Sequence, residues 1–300
     1  MVISSIAIIL HLAIIFALLI NKFTPLKKYD KIIYHLSLLN FITSTLNILT
    51  KIQGYATNGF IIIFCSKMLS FFSDNHVLAS FTVWVFFFLY NNFSVIIFIL
   101  IRYKEMMSNK KISYKLYSFF HTFIIISYSL TIILFSILHE RPKGVEKLLL
   151  QNELPYNIFY DFYGKRFPYY ITFKCNDLKF ILFTLLFIVP LGTSSFCCIY
   201  CLYKMFTKII INDMVSVCRR MEKEFNFYML SQFLVIVILN YLPFLSYFCL
   251  LILNIKFSTS GMIIFGIINT TPLIQGLVTI ICLNFYREGF FCLKLFKINR

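Results

Sequence analysis

Seven long apolar runs, separated by charged segments, make up most of this chain. They cover about residues 2–20, 32–50, 77–101, 117–138, 180–203, 227–253 and 262–284. A run of 18 or more apolar residues is typical of a membrane-spanning helix, because about 20 residues at 1.5 Å each cross the hydrocarbon core. We therefore predict an all-α fold, a seven-transmembrane helix bundle that forms a single domain over residues 1–300.

The placement of charge supports these spans. All 28 Lys and Arg residues and all 12 Asp and Glu residues fall outside the seven runs. An ionised side chain at the bilayer centre costs at least about 2.5–3.5 kcal/mol, so charges are expected in the connections. The apolar stretch 59–72 is too short to cross a bilayer, and we interpret it as an external segment that lies at the interface or caps the bundle. An eighth span at this position is the main rival interpretation.

Basic residues are shared unequally between the two sides of the predicted bundle. Segments 21–31, 102–116, 204–226 and 285–300 hold 18 basic and 6 acidic residues, a net charge of +12. Segments 51–76, 139–179 and 254–261 hold 10 basic and 6 acidic residues, a net charge of +4. Cytoplasmic loops carry the excess of Lys and Arg, so we expect the N-terminus outside and the C-terminus in the cytoplasm. The total of +16 therefore reflects membrane topology, not nucleic-acid binding.

Two of the nine cysteines, Cys65 and Cys175, fall in the predicted external segments, where disulfides persist. They either form a disulfide or remain free, since spacing alone does not show that they meet. The tail 285–300 mixes aromatic and basic side chains, which is typical of a short amphipathic helix in the inner headgroup layer. Cys292 within this tail is a position that could be palmitoylated.

The spans contain no carboxylate and no hydrolase, P-loop or metal-binding motif, so we predict no catalytic residue, metal or cofactor. Their polar residues are mostly amides, which either pack helices together or line a polar, switchable network. Asn91 and Asn92 are expected to face the bundle interior, because lipid cannot satisfy their hydrogen bonds. The amide positions are Asn40, Asn91, Asn92, Asn240, Asn269 and Gln275.

Prolines and one arginine mark further positions of interest. Pro190, Pro243 and Pro272 lie in the fifth, sixth and seventh spans, where each frees a backbone carbonyl and permits a hinge. Arg102 ends the third span, next to Tyr103, and is expected at the edge of the headgroup layer without a local acidic partner. It is either a membrane anchor or the third-span arginine of G protein-coupled receptors.

Three stretches carry a resemblance to a known family. They are KYDKIIYHLSLLNFITSTLNIL at 28–49, FIIIFCSKMLSFFSDNHVLASFTVWVFFFLY at 60–90 and FILIRYKEMM at 98–107. In these the chain resembles the nematode seven-transmembrane serpentine chemoreceptors, and is most like serpentine receptor class gamma. Ile101 departs from the Asn-Arg pair usual in that family, and the chain also lacks the DRY and NPxxY triplets of rhodopsin-like receptors.

The resemblance implies a chemosensory G protein-coupled receptor in the cell membrane, with sensory cilia as the expected location. Arg102, Tyr103, Arg219 and Arg220 would then serve G protein coupling, and segment 208–227 could extend the fifth and sixth spans toward the G protein. The aromatic-rich spans lack an acid to pair with an amine, so we expect a small, mostly apolar ligand. An odorant-receptor-like ligand-gated channel or a membrane carrier is the alternative, and an intramembrane enzyme is a third, weaker one.

Overall fold

The computed structural model describes residues 2–20, 29–57, 60–64, 74–108, 171–174, 178–211, 216–252 and 260–283, with single residues between 118 and 133. Its helices run Val2–Ile20, Asp30–Thr50, Asp74–Ser108, Leu178–Ile211, Ser216–Ile236, Leu242–Ile252, Ser260–Ile268 and Thr271–Cys282. Within the predicted fourth span, the described residues between 118 and 133 are helical. Five of the described helical segments are long and apolar enough to cross a membrane.

The helices extend beyond the predicted spans at one end of the bundle, which we call the arginine end because Arg102 lies there. The third-span helix continues to Ser108, and the fifth-span helix continues to Ile211. The sixth span begins at Ser216, so most of segment 204–226 is helical rather than a loop. The described parts of segment 208–227, residues 208–211 and 216–227, therefore extend the fifth and sixth spans, as the sequence suggested.

The sixth and seventh spans are each interrupted. In the sixth, a π-helical turn, Val237–Tyr241, separates Ser216–Ile236 from Leu242–Ile252. The seventh consists of Ser260–Ile268 and Thr271–Cys282, with a turn at residues 269–270. A π-helical turn inserts one extra residue and so rotates the side chains that follow it, here those of Leu242–Ile252, which lead toward the sheet described next.

A three-stranded antiparallel sheet lies at the opposite end, which we call the sheet end. Strands β1 (Gln53–Thr57), β2 (Phe60–Phe64) and β3 (Ile171–Lys174) pair in that order. The expected interfacial segment 59–72 is thus partly a strand, and the all-α prediction missed this sheet. The sequence signal was the Ile-rich run 61–63, since β-branched residues favour strands.

The predicted disulfide stays a prediction, because Cys65 and Cys175 lie outside the described residues. Phe64 and Lys174, which precede them, are at opposite ends of the β2–β3 pair, since Lys174 is opposite Phe60. Four residues of strand span roughly 13 Å, whereas bridged Cα atoms lie about 4.4–6.8 Å apart. A bridge therefore requires the chain to turn back after one strand.

The helices pack around two apolar clusters. The first-span helix lies against the second and seventh spans, and the third-span helix lies against the second, fifth and sixth. The cluster at the arginine end includes Phe98, Met205, Tyr228 and Phe233 from three spans. In a bilayer such contacts stabilise through close packing rather than through escape from water, because lipid is as apolar as the core.

The sheet is held on the seventh span by a close approach at Gly54. A Cβ atom placed there would lie 2.5 Å from Cε2 of Phe265, so a larger residue must displace the ring. Overpacking of this kind costs about 1–3 kcal/mol. We predict that Gly54→Ala lowers the unfolding temperature of the purified protein by several degrees, measured by thermal denaturation in detergent.

Gly266 supplies the control for this prediction. It neighbours Phe265, but a Cβ added there meets nothing within 4 Å. Gly266→Ala should therefore leave the unfolding temperature unchanged or raise it slightly, because alanine favours helix over glycine. Equal effects of the two variants would contradict the proposed packing of the sheet.

Candidate functional site

Arg102 lies inside the protein, not at an exposed edge. Its side chain is 1% exposed, and it forms ion pairs with Glu222 of the sixth span and Glu105 one turn later in its own helix. The Glu105 pair is 3.6 Å long, and the Glu222 pair is the closer of the two. The expectation that Arg102 lies at the edge of the headgroup layer without a local acidic partner was therefore wrong. The sequence could not reveal Glu222, which is 120 residues away and fell in a predicted loop.

An aromatic surface supports this pair. The ring of Tyr29 stacks on that of Phe225 with centroids 3.8 Å apart and an interplanar angle of 11°. The Arg102 guanidinium carbon lies 4.8 Å from the Tyr29 centroid and 5.9 Å from that of Phe225. The hydroxyl of Tyr29 donates to Glu222 Oε1 at 2.7 Å. We call these residues, Tyr29, Arg102, Glu105, Glu222 and Phe225, the arginine cluster.

Two further contacts hold the end of the third-span helix. Lys208 of the fifth span donates to the backbone carbonyl of Met106. Asn226 of the sixth span donates through Nδ2 to Met106 Sδ at 3.5 Å. The last carbonyls of a helix lack partners within the helix, and a cation there also favours the negative end of the helix dipole. The fifth and sixth spans thus converge on the end of the third.

A hydrogen-bonded set of amides crosses the middle of the bundle. Asn91 Nδ2 donates to Asn40 Oδ1 at 2.7 Å and to Gln275 Oε1 at 3.3 Å. Asn240 Nδ2 donates to Asn92 Oδ1 at 2.7 Å. Consecutive residues of a helix point roughly 100° apart, so the side chains of Asn91 and Asn92 face different neighbouring helices. Asn91 reaches the second and seventh spans, and Asn92 reaches the sixth.

Hydroxyl and amide groups continue this network into the seventh span. Thr271 Oγ1 donates to Asn240 Oδ1 at 2.6 Å, and Gln232 donates to the carbonyl of Gln275 at 2.9 Å and to Thr279 Oγ1 at 3.2 Å. Sequence reasoning did not select Gln232, Thr271 or Thr279. Their spacing of one or two helical turns from the chosen amides was the available signal.

Asn269, by contrast, does not join the network. Its side-chain oxygen is buried and has no hydrogen-bond partner among the described residues, and its backbone N–H donates to the carbonyl of Phe265. It lies in the turn that separates the two parts of the seventh span. The seventh-span residue that bonds a third-span amide is Gln275, which accepts from Asn91, whereas Thr271 bonds Asn240 of the sixth span.

The predicted hinges fall in different settings. Pro243 follows the π-helical turn directly, and Asn240 lies inside that turn and is buried. Pro272 begins the second part of the seventh span, and its carbonyl accepts a 2.8 Å hydrogen bond from Nε2 of His11 in the first span. Pro190 lies within the unbroken helix Leu178–Ile211. Two of the three prolines therefore adjoin an interruption.

Aromatic rings fill the bundle beneath the sheet. Trp84 Nε1 donates to Asn47 Oδ1 at 2.6 Å, and its ring stacks on Phe88 with centroids 5.3 Å apart. Phe88 in turn stacks on Phe244 of the sixth span at 6.1 Å. We call this set, Phe81, Trp84, Phe88, Phe244, Tyr247, Phe248 and Phe265, the aromatic cluster.

The structure describes the remaining predicted positions only in part. Tyr103 is partly buried against the core beside Arg102. Arg219 and Arg220 lie in helix Ser216–Ile236, and the structure describes the backbone of these two residues but not their side chains. The amphipathic tail 285–300, with Cys292, lies outside the described residues, as do Cys65 and Cys175. No metal-binding group of three or more His, Cys, Asp or Glu side chains occurs in the described part of the chain.

Membrane-spanning helices joined by a central polar network, with an arginine–carboxylate pair at one end, are the arrangement of a seven-transmembrane receptor. Comparison with known families agrees: the model described as serpentine type 7TM GPCR chemoreceptor Str matches residues 1–291. The chain belongs to this family and is a multi-pass membrane receptor, not an enzyme. A search of curated proteins found no match. The prediction of a serpentine chemoreceptor is thus confirmed, whereas its assignment to serpentine receptor class gamma is not.

Asn92 offers a test of the amide network. Asn92→Leu removes the acceptor of Asn240 Nδ2, so the sixth span loses its hydrogen bond to this position of the third, while Thr271 still donates to Asn240 Oδ1. Hydrogen bonds between membrane helices contribute about 0.6 kcal/mol each, and up to about 2. We predict a several-fold change in ligand-free signalling at normal surface expression, measured by nucleotide exchange on a G protein α subunit.

Asn91→Leu is the comparison variant, because Asn91 contacts the second and seventh spans rather than the sixth. We expect it to lower thermal stability more than it changes ligand-free signalling. If both variants match the unsubstituted protein in expression, stability and signalling, the amides only pack the helices.

Proposed function

We propose that this receptor binds a small, mostly apolar ligand at the sheet end and signals by releasing the Arg102–Glu222 pair at the arginine end. One observation carries the proposal, namely that this pair joins the third and sixth spans while the rest of the cluster shields it from solvent. A charge pair of this kind stabilises one packing of the two helices. Moving them apart exposes Arg102 for contact with a G protein.

The pair is suited to a two-state role because of its setting. Glu222 is 17% exposed, so water reaches one side of it, while Arg102 is almost fully enclosed. Breaking a buried pair by removing one partner costs about 3–5 kcal/mol, whereas separating it into water lets both charges be hydrated. An outward movement of the sixth span therefore costs less than loss of either side chain.

The polar network supports communication between the two ends. Asn92 is buried at 0% exposure, ten residues before Arg102 on the same helix, and links to the sixth span through Asn240. Asn240 lies in the π-helical turn next to Pro243, where the helix is already interrupted. A ligand that repositions the outer part of the sixth span would act on this turn first.

The aromatic cluster supports the proposed ligand chemistry. It is apolar apart from the Trp84–Asn47 hydrogen bond and the Tyr247 hydroxyl, and the described part of the chain places no acidic side chain in it. Offset or edge-on ring pairs each contribute about 0.5–1.5 kcal/mol, so an aromatic or aliphatic ligand can exchange contacts with these rings. A cationic amine would find no counter-charge there.

The charge distribution of the sequence supports the proposed orientation. The four segments predicted on the Arg102 side, 21–31, 102–116, 204–226 and 285–300, hold 18 basic residues, which supports a cytoplasmic position for the C-terminus and G protein contacts by Tyr103, Arg219 and Arg220. For a chemoreceptor, sensory cilia are the proposed membrane. Epitope tags on the two termini, stained on intact and on permeabilised cells, check this orientation, and an N-terminal tag hidden on intact cells would contradict it.

Glu222→Gln tests the proposed function directly. The substitution keeps the shape of the side chain but removes the charge that pairs with Arg102. A hydrogen bond to a charged group is worth about 1.5–3 kcal/mol, so the equilibrium should shift toward the released state by roughly tenfold or more. We predict raised ligand-free nucleotide exchange on the G protein, in membranes with matched receptor amounts.

Glu105→Gln is the matched control. Glu105 also pairs with Arg102, but from the same helix, so its loss does not separate the third and sixth spans. Ligand-free exchange should stay close to that of the unsubstituted receptor. Equal activity of all three proteins would overturn the proposed release mechanism.

Phe88→Leu tests the ligand site. Phe88 stacks on both Trp84 and Phe244, and leucine keeps it apolar while removing the ring. We expect a screen of apolar compounds and amines to yield apolar agonists, whose half-maximal concentration rises by several-fold to about tenfold in Phe88→Leu. Tyr200→Leu, on an exposed face of the fifth span, should leave it unchanged. An amine agonist insensitive to Phe88→Leu would refute this ligand class.

A further inference from the structure

We infer that Tyr29 is a positioning residue that holds the Glu222 carboxylate against Arg102. The start of the second span would then also control the release of the Arg102–Glu222 pair. This inference rests on the proposed function. It concerns a residue that lies outside the third and sixth spans, and it assigns the second span a direct part in setting ligand-free activity.

The two oxygens of one carboxylate are divided between two spans. Glu222 Oε1 accepts the hydrogen bond from the Tyr29 hydroxyl at 2.7 Å, and Oε2 faces the guanidinium of Arg102. With Oε1 held, the carboxylate cannot rotate freely about its last side-chain bond. Tyr29 thereby orients Oε2 toward Arg102.

The ring of Tyr29 acts on the other charge. Its face lies 4.8 Å from the guanidinium carbon of Arg102, within the range of a cation–π contact. Phe225, three residues after Glu222 and so on the same face of its helix, stacks on the Tyr29 ring at 3.8 Å. The sixth span therefore contacts Tyr29 through two residues, by a hydrogen bond and by a stack.

The backbone of Tyr29 is itself fixed. Its carbonyl accepts hydrogen bonds from the N–H groups of Ile32 at 2.9 Å and Ile33 at 3.1 Å, which places it at the first turn of the second-span helix. Its side chain is 3% exposed. A movement of the sixth span must therefore break the contacts with Tyr29, because Tyr29 cannot follow without unwinding the start of its helix.

A consequence concerns the order of events during release. The hydroxyl of Tyr29 is a neutral donor, so Glu222 keeps one hydrogen bond if Arg102 alone withdraws. Full separation requires that both contacts be lost. A partner that shifts the start of the second span would thus raise signalling without touching either member of the charge pair.

Tyr29→Phe isolates the hydroxyl, because phenylalanine keeps the ring contacts with Arg102 and Phe225. We expect ligand-free nucleotide exchange to rise by roughly tenfold or more, the shift that corresponds to one hydrogen bond to a charged group. Tyr29→Leu should raise it further, since the ring contacts are also lost. Tyr34→Phe, a partly exposed tyrosine of the same helix, should behave like the unsubstituted receptor.

A double-substitution cycle shows whether Tyr29 acts through Glu222. Tyr29→Phe introduced into Glu222→Gln should add much less than its effect alone, because the oriented charge is already absent. The same cycle measured by thermal unfolding in detergent, without G protein, should give the same non-additivity. Independent effects in both measurements, or no effect of Tyr29→Phe in either, would overturn the inference.

These outcomes are distinguishable from failure of the proposed function. If Glu222→Gln leaves exchange unchanged but the unfolding cycle is non-additive, the release mechanism fails while the positioning by Tyr29 stands as a structural fact. If Glu222→Gln raises exchange and Tyr29→Phe changes neither measurement, the release mechanism stands and the role of Tyr29 is refuted.

Discussion

A bilayer offers no hydrogen bonds, and this constraint accounts for the interior of the protein. Every polar group that a span carries must find its partner on another span or on the backbone. Asn91 Nδ2 meets this requirement with Asn40 and Gln275, and Asn92 Oδ1 meets it with Asn240, three residues from three different helices. Because packing of apolar side chains in lipid is only weakly selective, these few directional contacts fix how the helices are rotated against one another.

The same requirement operates more strongly at the arginine end, where the group to be satisfied is ionised. Arg102 is enclosed by two carboxylates and two aromatic rings drawn from the second, third and sixth spans. The exposed side of Glu222 gives this cluster a route to hydration that the central amides lack. In the proposed mechanism the centre positions the helices, and the arginine end is the part that opens.

The interruptions of the sixth and seventh spans lie at the central network. The π-helical turn carries Asn240 into the interior, and the turn before Thr271 brings the hydroxyl of that residue against it. Straight helices would aim these side chains elsewhere. The irregular backbone is therefore part of the polar network, since Asn240 lies within the π-helical turn and Thr271 follows the turn of the seventh span.

The seven-span class and the burial of Asn91 and Asn92 could be predicted from the sequence, because lipid excludes charge and unpaired amides regardless of how the helices are arranged. The same logic could not find Glu222 or Tyr29, which looked like residues of solvated connections. Their roles depend on how far the helices extend and which faces meet, and both are decided by packing between segments distant in sequence. The sheet was not predicted for a similar reason. Strands β2 and β3 are more than a hundred residues apart in sequence, and only the assembled bundle brings them together.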